Sequence, residues 1–175
     1  SGSHRYILDY LLEEVLTNLS PDQRDFLAQT SIFARLSAPL CDATTGRRNS
    51  QSMLLSFEQA NLFIQSLDDQ RLWYRYHPLF ADLLRNRLLS SEKSSIKELH
   101  QRASKWYESN NYPSQAITHA LRAEDYPSAA RLIEKAAIPA LYRSEIDTLL
   151  DWFDHLPEKT ISGDLNLQFL HLWAQ

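Results

Sequence analysis

Glycine is scarce in this sequence, and its scarcity excludes two kinds of active site. The 175 residues contain three glycines, at positions 2, 46 and 163. A loop that cradles phosphate needs several glycines whose backbone N–H groups approach the ligand, followed by lysine and serine or threonine. Neither that pattern nor the Gly-x-Ser-x-Gly turn of a serine hydrolase occurs. These residues therefore encode no phosphate-binding loop and no nucleophile elbow.

Cysteine, positive charge and long apolar runs are also scarce. The single cysteine, Cys41, excludes an internal disulfide framework and fits a reducing cytosol. Its position between Leu40 and Asp42 favours a small buried residue over a nucleophile. The net charge of −4 creates no strong field toward DNA or anionic lipid. Because no run of 18 apolar residues occurs, we predict no membrane helix and expect a cytoplasmic protein.

The six histidines do not form a recognisable set of metal ligands. No pair has the short spacing that places two imidazoles on one face of a helix. His100, His119 and His155 fall on ordinary helical segments, and we interpret them as surface groups or satisfied core groups. No nucleophile and base converge either. We therefore predict no metal site and no catalytic residue.

The first ninety residues have the pattern of a winged helix. A helical stripe runs from Leu8 to Leu19, and a capping box, Ser20-Pro21-Asp22-Gln23, begins a second helix. Further helices are predicted at about 40–45 and 50–60. Two short apolar runs, at 62–64 and 72–76, flank a polar turn at 68–70 and predict a β-hairpin. Pro78 then begins another helix, so residues 1–90 are predicted to form a winged-helix domain.

The remaining residues, 91–175, are predicted to be helical throughout. A polar stretch at 90–95 is the expected linker. The helix starts at Tyr112-Pro113-Ser114 and Tyr126-Pro127-Ser128 echo each other, and alanines on consecutive helices permit close approach. The fold class is therefore mainly α: a winged helix with one small β-hairpin, followed by a TPR-like helical-repeat arm. The uncapped apolar helix around Phe169 and Trp173, and the single methionine at Met53, suggest a piece of a longer protein.

DNA binding by this winged helix is not favoured. The segment before the hairpin, residues 50–60, contains no lysine or arginine and one glutamate. The turn adds Asp68 and Asp69 against Arg71, whereas phosphate contacts from basic residues supply much of DNA affinity. We interpret the one basic doublet, Arg47-Arg48, as part of a solvated loop. The winged helix is predicted to be a packing module.

His77 is the one histidine with a distinctive position, between the second strand and the helix that begins at Pro78. Helix N-termini have unpaired N–H groups and favour anions, so a histidine here is able to donate a hydrogen bond to phosphate. The alternative is that His77 only caps the helix. Position alone favours the cap.

Several blocks resemble the large ATP-binding LuxR-type regulators, the maltose-activator class of STAND ATPases. The resemblance runs from about Tyr6 to Trp173. Its most specific block is Trp73-Tyr74-Arg75-Tyr76-His77-Pro78-Leu79-Phe80-Ala81-Asp82-Leu83-Leu84. Further blocks lie at 36–47 and 60–63, and the arm blocks at 99–107, 115–121 and 152–157 are weak by themselves.

The resemblance implies an interior, non-catalytic fragment of a transcriptional activator that is itself a slow regulatory ATPase. No cofactor would bind the fragment alone, while ATP or ADP would bind elsewhere in the parent protein. The winged helix would pack on the nucleotide-binding domain, with His77 contacting an ADP phosphate, and the arm would lead to a sensor domain. Activation would release the winged helix and permit self-association, and promoter DNA would be bound only through a separate C-terminal domain.

One departure from the family concerns Pro78, which stands where a common variant has a second histidine. The alternative function is a protein–protein interaction scaffold, built from a winged helix and helical repeats and unrelated to ATP switching. The uncapped apolar helix around Phe169 and Trp173 motivates that alternative.

Overall fold

A computed structural model describes residue 10 and residues 13–90 and 93–174. The described residues divide, between Ile96 and Lys97, into two compact units. None of the helices in these ranges is both long and apolar enough to span a bilayer.

The first unit is a small helical domain with one hairpin. Residues 13–17 are helical; the first half of the predicted helix from Leu8 lies outside the described residues. The elements that follow are α1 (Pro21–Thr30), α2 (Ala38–Thr45), α3 (Ser50–Gln59), β1 (Ile64–Ser66), β2 (Tyr74–Tyr76) and α4 (Pro78–Leu89). This order of three helices, a hairpin and a helix confirms the predicted winged helix.

The capping box that begins α1 is confirmed in detail. The Ser20 hydroxyl accepts from the Gln23 N–H at 3.2 Å, and the Gln23 side-chain oxygen accepts from the Ser20 N–H at 3.0 Å. Two N–H groups that the helix cannot pair are thereby satisfied. At the far end of α2, Gly46 takes a φ of 75°, which ends the helix where a side chain would be strained.

The hairpin is confirmed, but both strands begin two residues later than predicted. Asn61 and Phe63 have φ angles of 53° and 54°, which remove residues 61–63 from the strand region. The Asp68 carboxylate accepts from the Leu72 N–H at 3.0 Å and the Trp73 N–H at 2.8 Å, so both residues belong to the turn. Strand pairing is therefore limited to three residues on each side.

The core of the first unit joins the hairpin to the helices. Its largest fully buried side chains are Leu16, Phe26, Leu27, Leu36, Leu40, Leu54, Phe57, Tyr74, Phe80 and Leu84. Leu36 and Tyr74 exchange two backbone hydrogen bonds of 2.8 Å, so β2 is paired on both edges. The buried hydroxyl of Tyr76 lies 2.8 Å from that of Thr30 on α1. Cys41 is fully buried, as predicted, and burial raises the pKa of its thiol.

Arg47 corrects one prediction, because it is not part of a solvated loop. Its guanidinium donates to the Gln29 side chain at 2.9 Å and pairs with the Asp22 carboxylate at 2.7 Å. It also lies over the Phe26 ring, 5.8 Å from the centroid. Arg47 therefore ties the loop after α2 to α1.

The second unit is entirely helical where it is described. Its helices are α5 (Lys93–Ser109), α6 (Pro113–Arg122), α7 (Tyr126–Tyr142), α8 (Ile146–Asp154), α9 (Glu158–Ser162) and α10 (Leu165–Ala174). The predicted linker is only partly described. Residues 93–95 form the first turn of α5, which extends the amphipathic segment from Ile96 toward the N-terminus, and residues 91 and 92 lie outside the described residues.

Three consecutive connections in this unit share one geometry. Asn111, Glu124 and Ser144 have φ angles of 62°, 56° and 59°. The following N–H groups, of Tyr112, Asp125 and Glu145, donate to carbonyls five residues earlier at 2.9, 3.0 and 2.9 Å. These are the left-handed residue and the long return bond of a Schellman helix end. Short connections of this kind turn each helix back against its predecessor, and buried alanines such as Ala116, Ala120 and Ala129 allow close contact.

Candidate functional site

His77 lies at the junction between β2 and α4. Its backbone N–H donates to the Phe63 carbonyl at 2.7 Å, and its own carbonyl accepts from the Ala81 N–H at 2.9 Å. Its imidazole is exposed and makes no hydrogen bond to the first turn of α4. The backbone of His77 is therefore fixed, while its side chain does not perform the capping role that position alone favoured.

A cleft of about 390 Å³ opens beside this imidazole. Its lining consists of Asn61, Phe63, Ile64, Gln65, Arg75, His77 and Pro78. Arg75 contributes a positive charge to this lining and no carboxylate of the lining offsets it. The arrangement suits an anion that approaches from outside the unit.

Arg75 reaches the cleft because successive residues of a strand point to opposite faces. Tyr74 and Tyr76 are buried, Arg75 and His77 are exposed, and Gln65 is the cross-strand neighbour of Arg75. The sequence analysis did not single out Arg75. The signal was present in the alternation from Tyr74 to His77, which places the two polar side chains on one side.

Strained backbone and aromatic packing form the cleft's rigid side. A bulky residue at positive φ costs roughly 1–2 kcal/mol and persists only where the surroundings impose it. At Phe63 the surroundings are the hydrogen bond from the His77 N–H and a ring contact with Phe80, with centroids 5.6 Å apart. Tyr76 packs edge-on against Phe80 at 5.9 Å. The cleft is therefore shaped by the core and does not depend on a mobile loop.

The surface that a DNA-reading winged helix would use is not basic. Residues 50–76 contain no lysine, and Arg71 pairs with Glu58 at 3.1 Å. The exposed side of α3 carries neutral polar residues, among them Gln51, Ser52 and Gln59. Hydrogen bonds from the Leu72 and Trp73 N–H groups lower the pKa of Asp68, so the turn carries a fixed negative charge. Apart from the exposed Arg75 on β2, the described residues of α3 and the hairpin therefore offer no unpaired cation for the phosphate contacts that DNA binding requires.

Two histidines of the second unit form a buried pair that the sequence analysis missed. The Nδ1 atoms of His100 on α5 and His119 on α6 are 2.8 Å apart, and both residues are less than 10% exposed. The Tyr107 ring stacks on His119, with centroids 5.3 Å apart. His100 and His119 are therefore core groups with hydrogen-bond partners, which was one of the two interpretations, and each imidazole is a partner of the other.

Burial lowers the pKa of both imidazoles. The pKa of His100 is lowered to about 4 by burial and by the nearby Arg122. That of His119 is lowered to about 3 by burial, by His100 and by Arg122. Both rings are therefore neutral near pH 7, with one Nδ1–H donating to the other Nδ1. Across residues 13–90 and 93–174 no group of three potential ligands could hold a metal ion.

Comparison with known proteins identifies one matching domain family and several similar proteins. Residues 12–96 match the MalT winged helix domain. The serine/threonine-protein kinase PknK of Mycobacterium tuberculosis (strain ATCC 25618 / H37Rv) is 36% identical over 174 residues, which are 99% of this chain and 16% of PknK. The HTH-type transcriptional regulator MalT of Cronobacter sakazakii is 31% identical over 168 residues, which are 96% of this chain and 19% of that protein.

MalT of Klebsiella pneumoniae (strain 342) is similar to the same extent, at 32% identity over 96% of this chain and 19% of its own length. The chain thus spans less than a fifth of the length of these relatives. The match to the winged helix domain covers the hairpin and the cleft with Arg75 and His77. The resemblance seen in the sequence blocks is confirmed: residues 12–96 match the MalT winged helix domain, and the chain is similar to MalT regulators over 96% of its length.

Proposed function

We propose that this chain is a non-catalytic regulatory module of a large ATP-dependent, LuxR-type transcriptional activator of the STAND class. Residues 1–90 would be the winged helix that packs on a nucleotide-binding domain elsewhere in the longer, cytoplasmic protein. Residues 91–175 would be a TPR-like arm that leads to a sensor domain. The support is the similarity to regulators over 96% of the chain, together with the small share of those proteins that it spans.

The names of the relatives support a regulatory role for the segment itself. One relative is named a serine/threonine-protein kinase and the others are named HTH-type transcriptional regulators. A segment that both kinds of protein share would have a role common to both, and that role would be neither kinase chemistry nor DNA recognition. Promoter DNA would then be contacted by another domain, which agrees with the absence of lysine and arginine from α3.

His77 would report the state of the nucleotide. An exposed imidazole beside Arg75, in a cleft without a carboxylate, is placed to donate to an ADP phosphate presented by the nucleotide-binding domain. In the ADP-bound form this contact would hold the winged helix closed. Exchange for ATP would release the winged helix and permit self-association, a population shift between two arrangements.

The single observation that carries this proposal is the free side chain of His77 in a MalT-type winged helix domain. The test is His77→Ala in the full-length protein, with His155→Ala, an exposed histidine of α8's C-terminal end, as the control. We expect faster ADP release and higher basal activity in the first variant only. Wild-type ADP release and basal activity in both variants would refute the nucleotide-sensing role.

A scaffold function is the second candidate, and one observation favours it. Helix α10 exposes Leu165, Phe169, Leu172 and Trp173 while burying Leu167, Leu170 and Ala174 on its other side. A helix that is apolar on two sides is suited to pack between two neighbours. If His77→Ala leaves ADP release unchanged while Phe169→Glu abolishes assembly of the longer protein, the scaffold is the better description.

A further inference from the structure

We propose that Arg75 is a second phosphate-contacting residue, and that Arg75 and His77 together bind the terminal phosphate of a bound nucleoside diphosphate. This inference rests on the proposed function and extends it to a residue with no assigned role. Both side chains line the same cleft. If both contact the phosphate, removal of Arg75 should speed ADP release, which a contact through His77 alone does not predict.

The backbone of β2 holds Arg75 in place. Tyr74 and Tyr76, its neighbours on either side, are 0% and 3% exposed and are anchored in the core. β2 is paired to β1 on one edge and to Leu36 on the other. A strand held on both edges cannot rotate, so the side chain of Arg75 stays on the face that it shares with His77.

The charge of Arg75 is not neutralised within the unit. Arg71, on the same hairpin, pairs with Glu58, and Arg35 lies over the Trp73 ring at 5.2 Å. The guanidinium of Arg75 has no ion pair or hydrogen bond with any residue that the structure describes. The lining of its cleft contains no carboxylate. A counter-ion for Arg75 must therefore come from outside the winged helix.

The two donors together favour phosphate over a carboxylate. A guanidinium binds a carboxylate through a fork of two parallel N–H···O bonds, which occupies both carboxylate oxygens in their best direction. The neighbouring imidazole would then have to share one of those two oxygens with Arg75. A terminal phosphate has three oxygens, so two can accept from Arg75 while the third accepts from His77. The cleft is open, which allows a phosphate held by another domain to enter it.

The experiment uses the full-length protein and the dissociation rates of fluorescently labelled ADP and AMP. The variants are Arg75→Ala, Arg75→Lys, His77→Ala and the Arg75→Ala/His77→Ala double variant. Arg71→Ala is the matched control, because it removes an arginine of the same hairpin that is already paired with Glu58. Thermal unfolding of each variant checks that the winged helix is folded.

We expect Arg75→Ala to speed ADP release by about tenfold, the effect of losing one charge-assisted contact of about 1.4 kcal/mol. Arg75→Lys keeps the charge but loses the fork, so its effect should be intermediate. The double variant should release ADP more slowly than the product of the single effects predicts, because both residues hold one phosphate. AMP lacks that phosphate, so its release rate from each variant should stay near the wild-type rate. The rate of ADP release from the Arg71→Ala variant should also stay near the wild-type rate.

The outcomes separate this inference from the proposed function. If His77→Ala speeds ADP release and Arg75→Ala does not, the role of Arg75 is wrong and the role of His77 stands. If neither variant changes ADP release, both are wrong. If Arg75→Ala speeds AMP and ADP release equally, Arg75 contacts the protein surface of the nucleotide domain and the phosphate assignment is overturned.

Discussion

The buried pair of His100 and His119 makes the stability of the second unit depend on pH. Each imidazole has a folded-state pKa, about 4 and about 3, well below the ordinary value of 6.5. The unfolded chain therefore binds more protons than the folded chain below pH 6.5. The stabilisation is fully present above that pH and is lost as the pH falls toward the folded pKa values.

The magnitude follows from the number of protons taken up on unfolding. Between pH 6 and pH 5, unfolding takes up nearly one proton for each histidine, and each proton changes the free energy of unfolding by about 1.4 kcal/mol per pH unit. The two histidines together should therefore remove roughly 2 kcal/mol over that interval. The positive charge of Arg122, which lies near both rings, also disfavours their protonation in the folded state.

The assay is urea unfolding at pH 7, 6 and 5, followed by tryptophan fluorescence. Three of the four tryptophans, Trp106, Trp152 and Trp173, lie in the second unit, and Trp73→Phe removes the signal of the first. With a slope of 1–3 kcal/mol per molar urea, a loss of roughly 2 kcal/mol lowers the midpoint by about 1 M. Carboxylates elsewhere also titrate, so the comparison requires a variant without the pair.

The His100→Phe/His119→Leu variant should lose most of the pH dependence between pH 6.5 and 5, whatever its stability at pH 7. His155→Ala is the control, because His155 is exposed and should leave the slope unchanged. If the double variant and the wild type show the same slope, the histidines are not buried as a neutral pair. The reasoning from burial to a lowered pKa would then be wrong for this contact.

Two further predictions concern the first unit, each measured as the change in the urea-unfolding midpoint. Tyr76→Phe removes a buried hydroxyl that lies 2.8 Å from the Thr30 hydroxyl. It should lower the free energy of unfolding by only about 1 kcal/mol, because the Thr30 hydroxyl keeps its bond to the Phe26 carbonyl at 2.7 Å. An unchanged midpoint would show that the bond between Tyr76 and Thr30 adds no net stability. Ser20→Ala breaks the capping box with Gln23 and should cost about 1 kcal/mol, whereas Ser20→Gly should cost only a few tenths; equal losses would contradict the capping role.

Some features could be predicted because they depend on neighbours in the chain. The capping box at Ser20 requires only Gln23, three residues later. The start of the helix at Pro78 is favoured by the fixed φ angle of that proline. The hairpin was predicted, but its register was not. The positive φ angle at Asn61 belongs to the end of α3, where the Leu62 N–H returns to the Phe57 carbonyl, but the one at Phe63 is held by packing on Phe80 and by the bond from His77, which lie beyond any local pattern.

The candidate site was predictable in part. His77 stood out by position and by resemblance, whereas Arg75 acquires its role only when a cleft without carboxylates forms around it. Arg47 shows the reverse case: a basic doublet that looked solvated is held by Asp22 and Gln29, which lie far from it in the chain. Whether a charged side chain is paired depends on its distance from other side chains in the folded protein, and the spacing of residues along the sequence does not give that distance.

By itself the sequence determined the helix boundaries set by proline, glycine and capping side chains, the mainly helical class, the small hairpin and the resemblance to MalT-like regulators. These depend on local hydrogen bonds and on hydrophobic periodicity, both of which are written in adjacent residues. Only the tertiary structure decided that His100 meets His119, that Arg75 stays unpaired beside His77, and that Phe63 is strained. Those features arise where helices and strands distant in sequence pack together, and there burial and partner distance decide pKa, pairing and strain.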